Sequence, residues 1–385
     1  MTDAFKLDTL INWLIAGAPP DAAFAETVAE LGRRMVAAGL AVDTLGVYML
    51  TINPMVLGTL ISWSPRRAVR VDRWSHAAMA TSDWIGTVPH RAIATGRSVR
   101  LAIGTDDPLN AHPATRALQG RGYVEFAAFP LVAKYAPTGA ITVGTKQKGG
   151  LEEAQVLAIR RIQAPLARLV EAEILHENTV TLLSTYVGRN AGDKVLDGRI
   201  LRGYSENITA VILFADLRGF TQLSNALPAA STIAVLNQFF DAMDSAIRAN
   251  GGETLKFIGD GLLAIFPTPD DITAQTAAAM GAISALDDAR ARLGGEQGGS
   301  AIAFRAALHL GDIHYGNVGS TTRLDFTAVG PAVNLTARLL QASAEMAAGT
   351  VCSQGFAALT PGRAGTAREV ALKGFAEPVM VHRID

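Results

Sequence analysis

The sequence predicts an α+β protein of two domains joined by a helical connector. Three observations carry that expectation. At 385 residues, the chain is longer than one hydrophobic core ordinarily supports. Residues 1–158 alternate helical apolar spacing with hairpin-like runs, and the stretch from Thr209 to Leu310 reads strand, helix, two strands, helix, strand. Between these regions, from Ile159, apolar residues recur every seven positions.

Composition narrows the class. A hydrophobic content of 49% argues for packed domains rather than disorder. Lysine plus arginine (34) nearly balances aspartate plus glutamate (35), so a net charge of -1 gives no electrostatic reason to expect nucleic acid or an anionic membrane as partner. Cys352 is the sole cysteine and has no intramolecular disulfide partner, which suits a reducing, cytoplasmic setting. The most apolar region, Leu45 to Trp63, is broken at Asn53-Pro54 and reads as two strands and a turn, not as a membrane span. Asp3 and Asp8 around Lys6 do not fit the basic-then-apolar pattern of a signal peptide.

In the first domain, Leu7, Leu10, Ile11 and Leu14, then Phe24, Val28, Leu31 and Met35, have helical spacing, with Asp21 after Pro19-Pro20 as the cap of the second helix. A hairpin is expected over residues 45–52 and 55–62. A short helix should end at Gly96, and a second β pair is expected over 124–132 and 139–144 around Ala136-Pro137-Thr138. A long helix opens at Leu151. Trp13, Trp63, Trp74 and Trp84 all fall in this domain. They read as core and rim aromatics, with a pocket wall as the alternative. His76, His90 and His112 lack metal-ligand spacing and read as surface or capping residues.

The connector repeat runs through Ile159, Ile162, Leu166, Leu169, Val180, Leu183 and Val187, with Glu173 and His176 at the two seam positions between. It fits either a parallel two-stranded coil with a polar register point or one amphipathic helix packed on its own domain. Thr185 to Gly203, rich in glycine and charge, reads as a hinge.

The second domain opens with the apolar strand Thr209 to Ala215, which runs into Asp216. A helix follows through Ile233, Leu236, Phe239, Phe240, Met243 and Ile247. A hairpin turns at Gly259-Asp260-Gly261, a helix spans about Ile272 to Leu293, and glycine-rich 294–299 leads into the strand Ala301 to Leu310. Strand-helix-strand-strand-helix-strand is the ferredoxin-like order. A right-handed crossover makes its first two strands parallel, with the third inserted between them, so Asp216 and Asp260 should meet. Two acids at adjoining strand ends, next to the backbone amides of Leu217, Arg218, Gly219 and Phe220, suit divalent ions and a triphosphate.

Two resemblances sharpen these expectations. A-I-A-T-G-R-S-V-R (Ala92 to Arg100), F-P-L-V (Phe129 to Val132) and G-A-I-T-V-G-T (Gly139 to Thr145) resemble a GAF domain, a family that binds small ligands or acts as a dimerising spacer. The N-K…F-x-x-x-D-E pattern of its cyclic-nucleotide-binding members is not matched, so the ligand, if there is one, is not legible.

F-A-D-L-R-G-F-T (Phe214 to Thr221), L-K-F-I-G-D-G-L-L-A-I-F (Leu255 to Phe266), H-L-G-D-I-H-Y-G-N-V-G (His309 to Gly319), D-F-T-A-V-G-P-A-V-N-L-T-A-R-L (Asp325 to Leu339) and L-K-G (Leu372 to Gly374) resemble the class III nucleotidyl cyclase catalytic domain over about 206–385. By position, that resemblance implies Asp216 and Asp260 as ligands of two divalent cations, Mg2+ or Mn2+, and Lys256 with Thr327 as the purine-selecting pair. It implies Asn334 and Arg338 as ribose-orienting and transition-state residues, and Lys373 as a triphosphate ligand.

A lysine donor suits N1 of adenine and opposes the N1–H of guanine. The expected activity is therefore conversion of ATP to 3′,5′-cyclic AMP and pyrophosphate, regulated by the first domain. Thr327 leaves open a guanylate or mixed specificity, and a non-catalytic scaffold with the same fold is the remaining alternative. The resemblance also implies a homodimer with shared sites, in which the acids of one subunit face Lys256, Thr327, Asn334 and Arg338 of the other. Pro331 departs from the family's usual acidic or polar residue there, and is acceptable in the first turn of a helix.

Overall fold

The computed structural model describes residues 4–17, 22–133, 137–294 and 302–384. It divides into two compact units, Met1–Leu182 and Leu183–Asp385. The Asp21 cap, the turn at Ala136, the loop 295–299 and a strand start at Ala301 lie outside the described residues. Among the described residues, no helix is long and apolar enough to cross a membrane.

The first unit runs α1 (Ala4–Ala16), α2 (Phe24–Ala37), β1 (Thr44–Leu50), β2 (Gly58–Ser64), β3 (Arg67–Trp74), α3 (His76–Met79), α4 (Val88–Thr95), β4 (Val99–Ala102), α5 (Pro113–Gly120), β5 (Glu125–Val132), β6 (Pro137–Thr145) and α6 (Glu153–Tyr186). Its six strands form one sheet in the order β3-β2-β1-β6-β5-β4, every neighbour antiparallel. Leu45, Val47 and Met49 of β1 alternate with Thr44, Gly46 and Tyr48. The first set packs on Leu10, Leu14, Leu31 and Met35 from the paired helices.

Two strands, β3 and β4, exceed the two hairpins expected. β3 reads R-A-V-R-V-D-R-W and sits at the sheet edge with most of its residues exposed, so it lacks the buried alternation that marks a strand in sequence. The second strand starts at Gly58 rather than at residue 55. The Asn53 side chain accepts from the amides of Met55 (2.8 Å) and Val56 (3.1 Å) and prolongs the turn. The α4 helix ends at Gly96 in the left-handed conformation, where the sequence places its stop.

Ile159, Ile162, Leu166, Val170 and Ile174 of α6 are buried in this unit's own core, so the first half of the seven-residue seam is filled by its own domain. Trp63 is core. Trp74 and Trp84 cluster with Tyr48 at ring centroid distances of 5.6 to 6.1 Å. The sheet face away from α1 and α2 borders a cavity of about 1050 Å³ lined by Tyr48, Ser62, Arg70, Tyr123 and Thr142, among others.

The second unit continues with α7 (Arg189–Leu196), β7 (Ser205–Leu217), α8 (Phe220–Ala226), α9 (Ala229–Ala249), β8 (Glu253–Ile258), β9 (Gly261–Thr268), α10 (Ile272–Leu293), β10 (Phe304–Gly319), β11 (Leu324–Val329), α11 (Pro331–Glu345), β12 (Thr350–Ser353), α12 (Gln354–Leu359), β13 (Ala364–Val370) and β14 (Val379–Ile384). The sheet order is β13-β14-β12-β10-β7-β9-β8, with β11 paired to β10 alone. Within it, β10-β7-β9-β8 with α9 and α10 as crossovers is the strand-helix-strand-strand-helix-strand arrangement expected, with β9 inserted between β7 and β8.

Both faces of this sheet are packed. Val211, Leu213 and Ala215 meet α9 and α10 through Phe239, Met243, Ile283 and Leu286. Ala210 and Ile212 share the opposite cluster with Ala191, Leu255, Phe326 and Ala328. The segment expected as a hinge is instead largely helical. α6 runs to Tyr186, and α7 seats Ala191 and Val195, four apart on one helical face, against the sheet.

Candidate functional site

Asp216 lies one residue inside the end of β7, in register with Gly261 at the start of β9. The β8–β9 turn needs a left-handed residue, which Gly259 supplies at φ 62°. The Asp260 carbonyl accepts from the Leu217 amide at 3.2 Å, which ties the two acid-bearing segments together. Across β7, Arg305 of β10 stands in register with Asp216 and grips its carboxylate with two bonds of 3.0 and 2.7 Å. Burial raises the Asp216 carboxyl above its ordinary pKa, the Arg305 bonds pull it down, and the Asp260 charge pushes it up again. Among the described residues, Asp260 has no hydrogen-bond or ion-pair partner for its carboxylate. The Arg305 guanidinium therefore balances the charge of Asp216 alone.

This oxygen-only pair, short of positive charge and without histidine or cysteine, fits a hard divalent ion that also takes oxygens from a phosphate. Among the described residues, no group of three or more His, Cys, Asp or Glu side chains is arranged to hold a metal.

The amide cradle needs correction. The Leu217 amide is committed to Asp260, and the Arg218 amide donates to the Ala303 carbonyl at 2.9 Å, so neither is free for a phosphate. Strand pairing extends past the acid and consumes those donors. Gly219, the left-handed N-cap of α8, and Phe220, its first residue, are the remaining members of the expected set.

A second cluster forms where β11 folds over the sheet. Lys256 of β8 makes an ion pair with Asp325 of β11. Asp325 and Thr327 are two apart on the strand and so share a face, while Phe326 and Ala328 point into the cluster beneath. Thr327 is buried. Gly330 and Pro331 then open α11, the proline occupying the first helical position as the sequence anticipates. Asn334 is exposed on that helix. Arg338 donates to Gln341 at 3.0 Å, which leaves the rest of its guanidinium uncommitted. Lys373 is exposed in the link between β13 and β14.

Within one chain the acids come together, and so do Lys256 and the strand of Thr327. Among the described residues, no hydrogen bond or ion pair joins the acids to Asn334, Arg338 or Lys373. Sequence reading missed Arg305 and Asp325. An arginine or aspartate in a strand carries no signal by itself, and only cross-strand placement reveals the partner.

Residues 204–377 match the family model of the Adenylate and Guanylate cyclase catalytic domain. An adenylate cyclase of Anabaena cylindrica is 35% identical over 130 residues, covering 33% of this chain and 26% of the relative. An uncharacterized protein of Mycobacterium tuberculosis is 32% identical over 184 residues, covering 47% of this chain and 31% of the relative. The chain thus spans less than a third of the length of these two relatives. Among solved structures, the adenylyl cyclase CyaB from P. aeruginosa is 28% identical with a TM-score of 0.39, covering 47% of this chain and 96% of that one. The guanylyl cyclase Cya2 is also 28% identical, with a TM-score of 0.40 and coverage of 47% and 93%. Residues 204–377 are a catalytic domain of the adenylate and guanylate cyclase family.

Proposed function

We propose that the protein is an adenylate cyclase that converts ATP to 3′,5′-cyclic AMP and pyrophosphate. In this reading it acts as a homodimer with shared sites, regulated by a GAF-like first unit. The observation that carries the purine assignment is the ion pair of Lys256 with Asp325, two residues from Thr327. Asp325 holds the ammonium against the strand that carries Thr327, which supports a site where an N–H donor and a hydroxyl that can donate or accept would stand side by side. That pair complements N1 and the amino group of adenine. Asn334 and Arg338, four apart on α11, project from one face and suit the ribose and the charge that grows on the α-phosphate during attack by the 3′-hydroxyl. Lys373, exposed on its loop, suits the triphosphate.

Asp216 and Asp260 would hold the divalent ions, Mg2+ or Mn2+, which when bound polarise phosphate oxygens and acidify the attacking hydroxyl. Arg305, already two-pronged on Asp216, is an additional cation within reach of a triphosphate bound there.

The dimer is supported by two features. Among the described residues, no hydrogen bond or ion pair links the acids to Arg338. Phe257 (52% exposed) and Ile258 (50%) beside Asp260, with Val318 (43%) and Leu324 (42%) at the β10–β11 hairpin, leave apolar surface that a second copy would cover. Asp216→Ala and Arg338→Ala chains, each inactive alone, should regain activity when mixed. Folded mutants that form heterodimers without regaining activity would refute shared sites.

Asp325 also favours a second reading, mixed specificity. Its carboxylate is 59% exposed and could accept from the N1–H and amino group of guanine. Incubating the protein with ATP and with GTP, each with Mg2+ or Mn2+, and measuring cyclic nucleotide and pyrophosphate decides between the two. Absence of product from both nucleotides would overturn the cyclase assignment.

A further inference from the structure

We infer that α7 sets the spacing of β8 and β11, and so positions Lys256 against Thr327. The consequence for purine choice rests on the role proposed for that pair above.

The sheet leaves the distance between two strands undetermined. Among the described residues, β8 pairs only with β9, and β11 only with β10. No ladder of backbone hydrogen bonds joins the strand of Lys256 to the strand of Thr327. Apart from the Lys256–Asp325 ion pair, their separation depends on the side chains packed beneath them. Those side chains are the sequence neighbours of the purine pair: on β11 by strand alternation, and on β8 by a bulge between Thr254 and Lys256 that sends Leu255 into the cluster. Leu255 precedes Lys256, and Phe326 and Ala328 flank Thr327. All three belong to the cluster in which α7 buries Ala191 and packs Val195.

Polar ties fix the helix in that seat. The Lys194 ammonium lies 4.8 Å from the ring centroid of Tyr315 and 5.9 Å from that of Phe326, and it pairs with Glu206 of β7. At the other end of the helix, Glu253 is the first residue of β8. It accepts from the Asn190 side chain at 2.8 Å and from the Tyr315 hydroxyl at 3.2 Å. One short helix is therefore bonded to β8, β10 and β11 at once.

The same helix has a close neighbour on its outer side. A Cβ at Gly192 would stand 3.2 Å from the backbone carbonyl carbon of Leu183, so α7 crosses the last turn of α6 in tight contact. A displacement of that turn would be passed to α7 as a rigid body, and from α7 to Leu255 and Phe326. Lys194 and Glu253 are positioning residues, since each acts on the purine pair through the strands and rings that α7 holds.

The test uses the full chain and Lys194→Met, which keeps the apolar stem and removes the charge. Amide hydrogen exchange should quicken by about three- to tenfold over 253–258 and 324–329 and stay unchanged over 350–353 and 379–384. The KM for ATP should rise by a similar factor and the preference for ATP over GTP should fall, with kcat held within about twofold. Lys194→Arg, which can still stack on the rings, should restore all of these. In a double-mutant cycle with Phe326→Leu, the second substitution should add little to the first.

Unchanged exchange over 253–258 and 324–329 overturns the inference. So does a loss of kcat with KM and purine preference unmoved, or strict additivity in the cycle. A wild-type protein that forms no cyclic nucleotide sinks the cyclase reading instead, and leaves the exchange measurement to decide the role of α7.

Discussion

The sheet of the first unit and the sheet of the second are both mostly antiparallel, yet they expose different things. The first buries one face against α1, α2 and α6, while its other face packs α4 over β4 and β5 and is left polar over β1 and β2, where it borders a cavity. The second is packed on both faces, by α9 and α10 on one side and by α7 and β11 on the other. A sheet covered on both faces has only strand ends, turns and covering elements left for chemistry. Asp216, Asp260, Thr327 and Asn334 are found in those places. A sheet face left open over some of its strands spreads its ligand-facing side chains over alternate strand positions, where they look like any solvated surface. That is why the second unit announces a reaction in its sequence and the first does not announce a ligand.

The largest effect should come from the acid corner. Asp216→Ala removes one of two carboxylates and strands the half-buried Arg305. Cyclic nucleotide formation should fall by at least about a thousandfold, with circular dichroism and the melting transition close to wild type. Retained activity would move the chemistry away from the strand ends and erase the contrast between the two sheets.

The next effect belongs to the first unit and is structural. Glu125, 6% exposed, binds Arg100 through bonds of 2.6 and 3.2 Å and accepts from the Leu151 amide at 2.7 Å, where α6 approaches the sheet. Glu125→Ala leaves that amide without its acceptor and Arg100 without its main partner, and should cost about 3 kcal/mol in denaturant unfolding of this unit. A change below about 0.5 kcal/mol would show the pair to be no more than a surface contact.

The smallest effect is a pH dependence in the second unit. His309 bonds the Ser353 hydroxyl at 2.7 Å, and burial lowers its pKa from 6.5 to about 4. A histidine held neutral in the fold contributes stability that is complete above pH 6.5 and is lost as pH falls toward 4, because the unfolded chain takes up the proton first. The loss over that window is roughly 2–3 kcal/mol by linkage. Urea titrations at pH 7 and pH 4.5 should show the drop in wild type and a smaller one in His309→Gln. Equal drops would place the imidazole in contact with water.

Much of the second unit was legible in sequence because its signals are local. The apolar run ending at Asp216, the Gly259-Asp260-Gly261 turn, the helical period from Ile272 to Leu293 and the proline at the start of α11 each fix a nearby backbone conformation. The right-handed crossover rule then sufficed to bring Asp216 next to Asp260. β3 escaped because an edge strand bearing three arginines shows no buried period. α7 reads as a hinge in sequence because glycine and charge outweigh two apolar residues four apart, until a surface exists for Ala191 and Val195 to cover.

Chain order and residue type therefore determined the elements, the crossover and the meeting of the two acids, since these follow from periodicity, turn chemistry and handedness. Tertiary structure alone decided which amides near Asp216 are already used, that Arg305 grips Asp216, and that Asp325 holds Lys256. These are contacts between residues remote in sequence, and they depend on strand register and on the folding of β11 over the sheet. A one-residue shift in register would point each of these side chains to the opposite face.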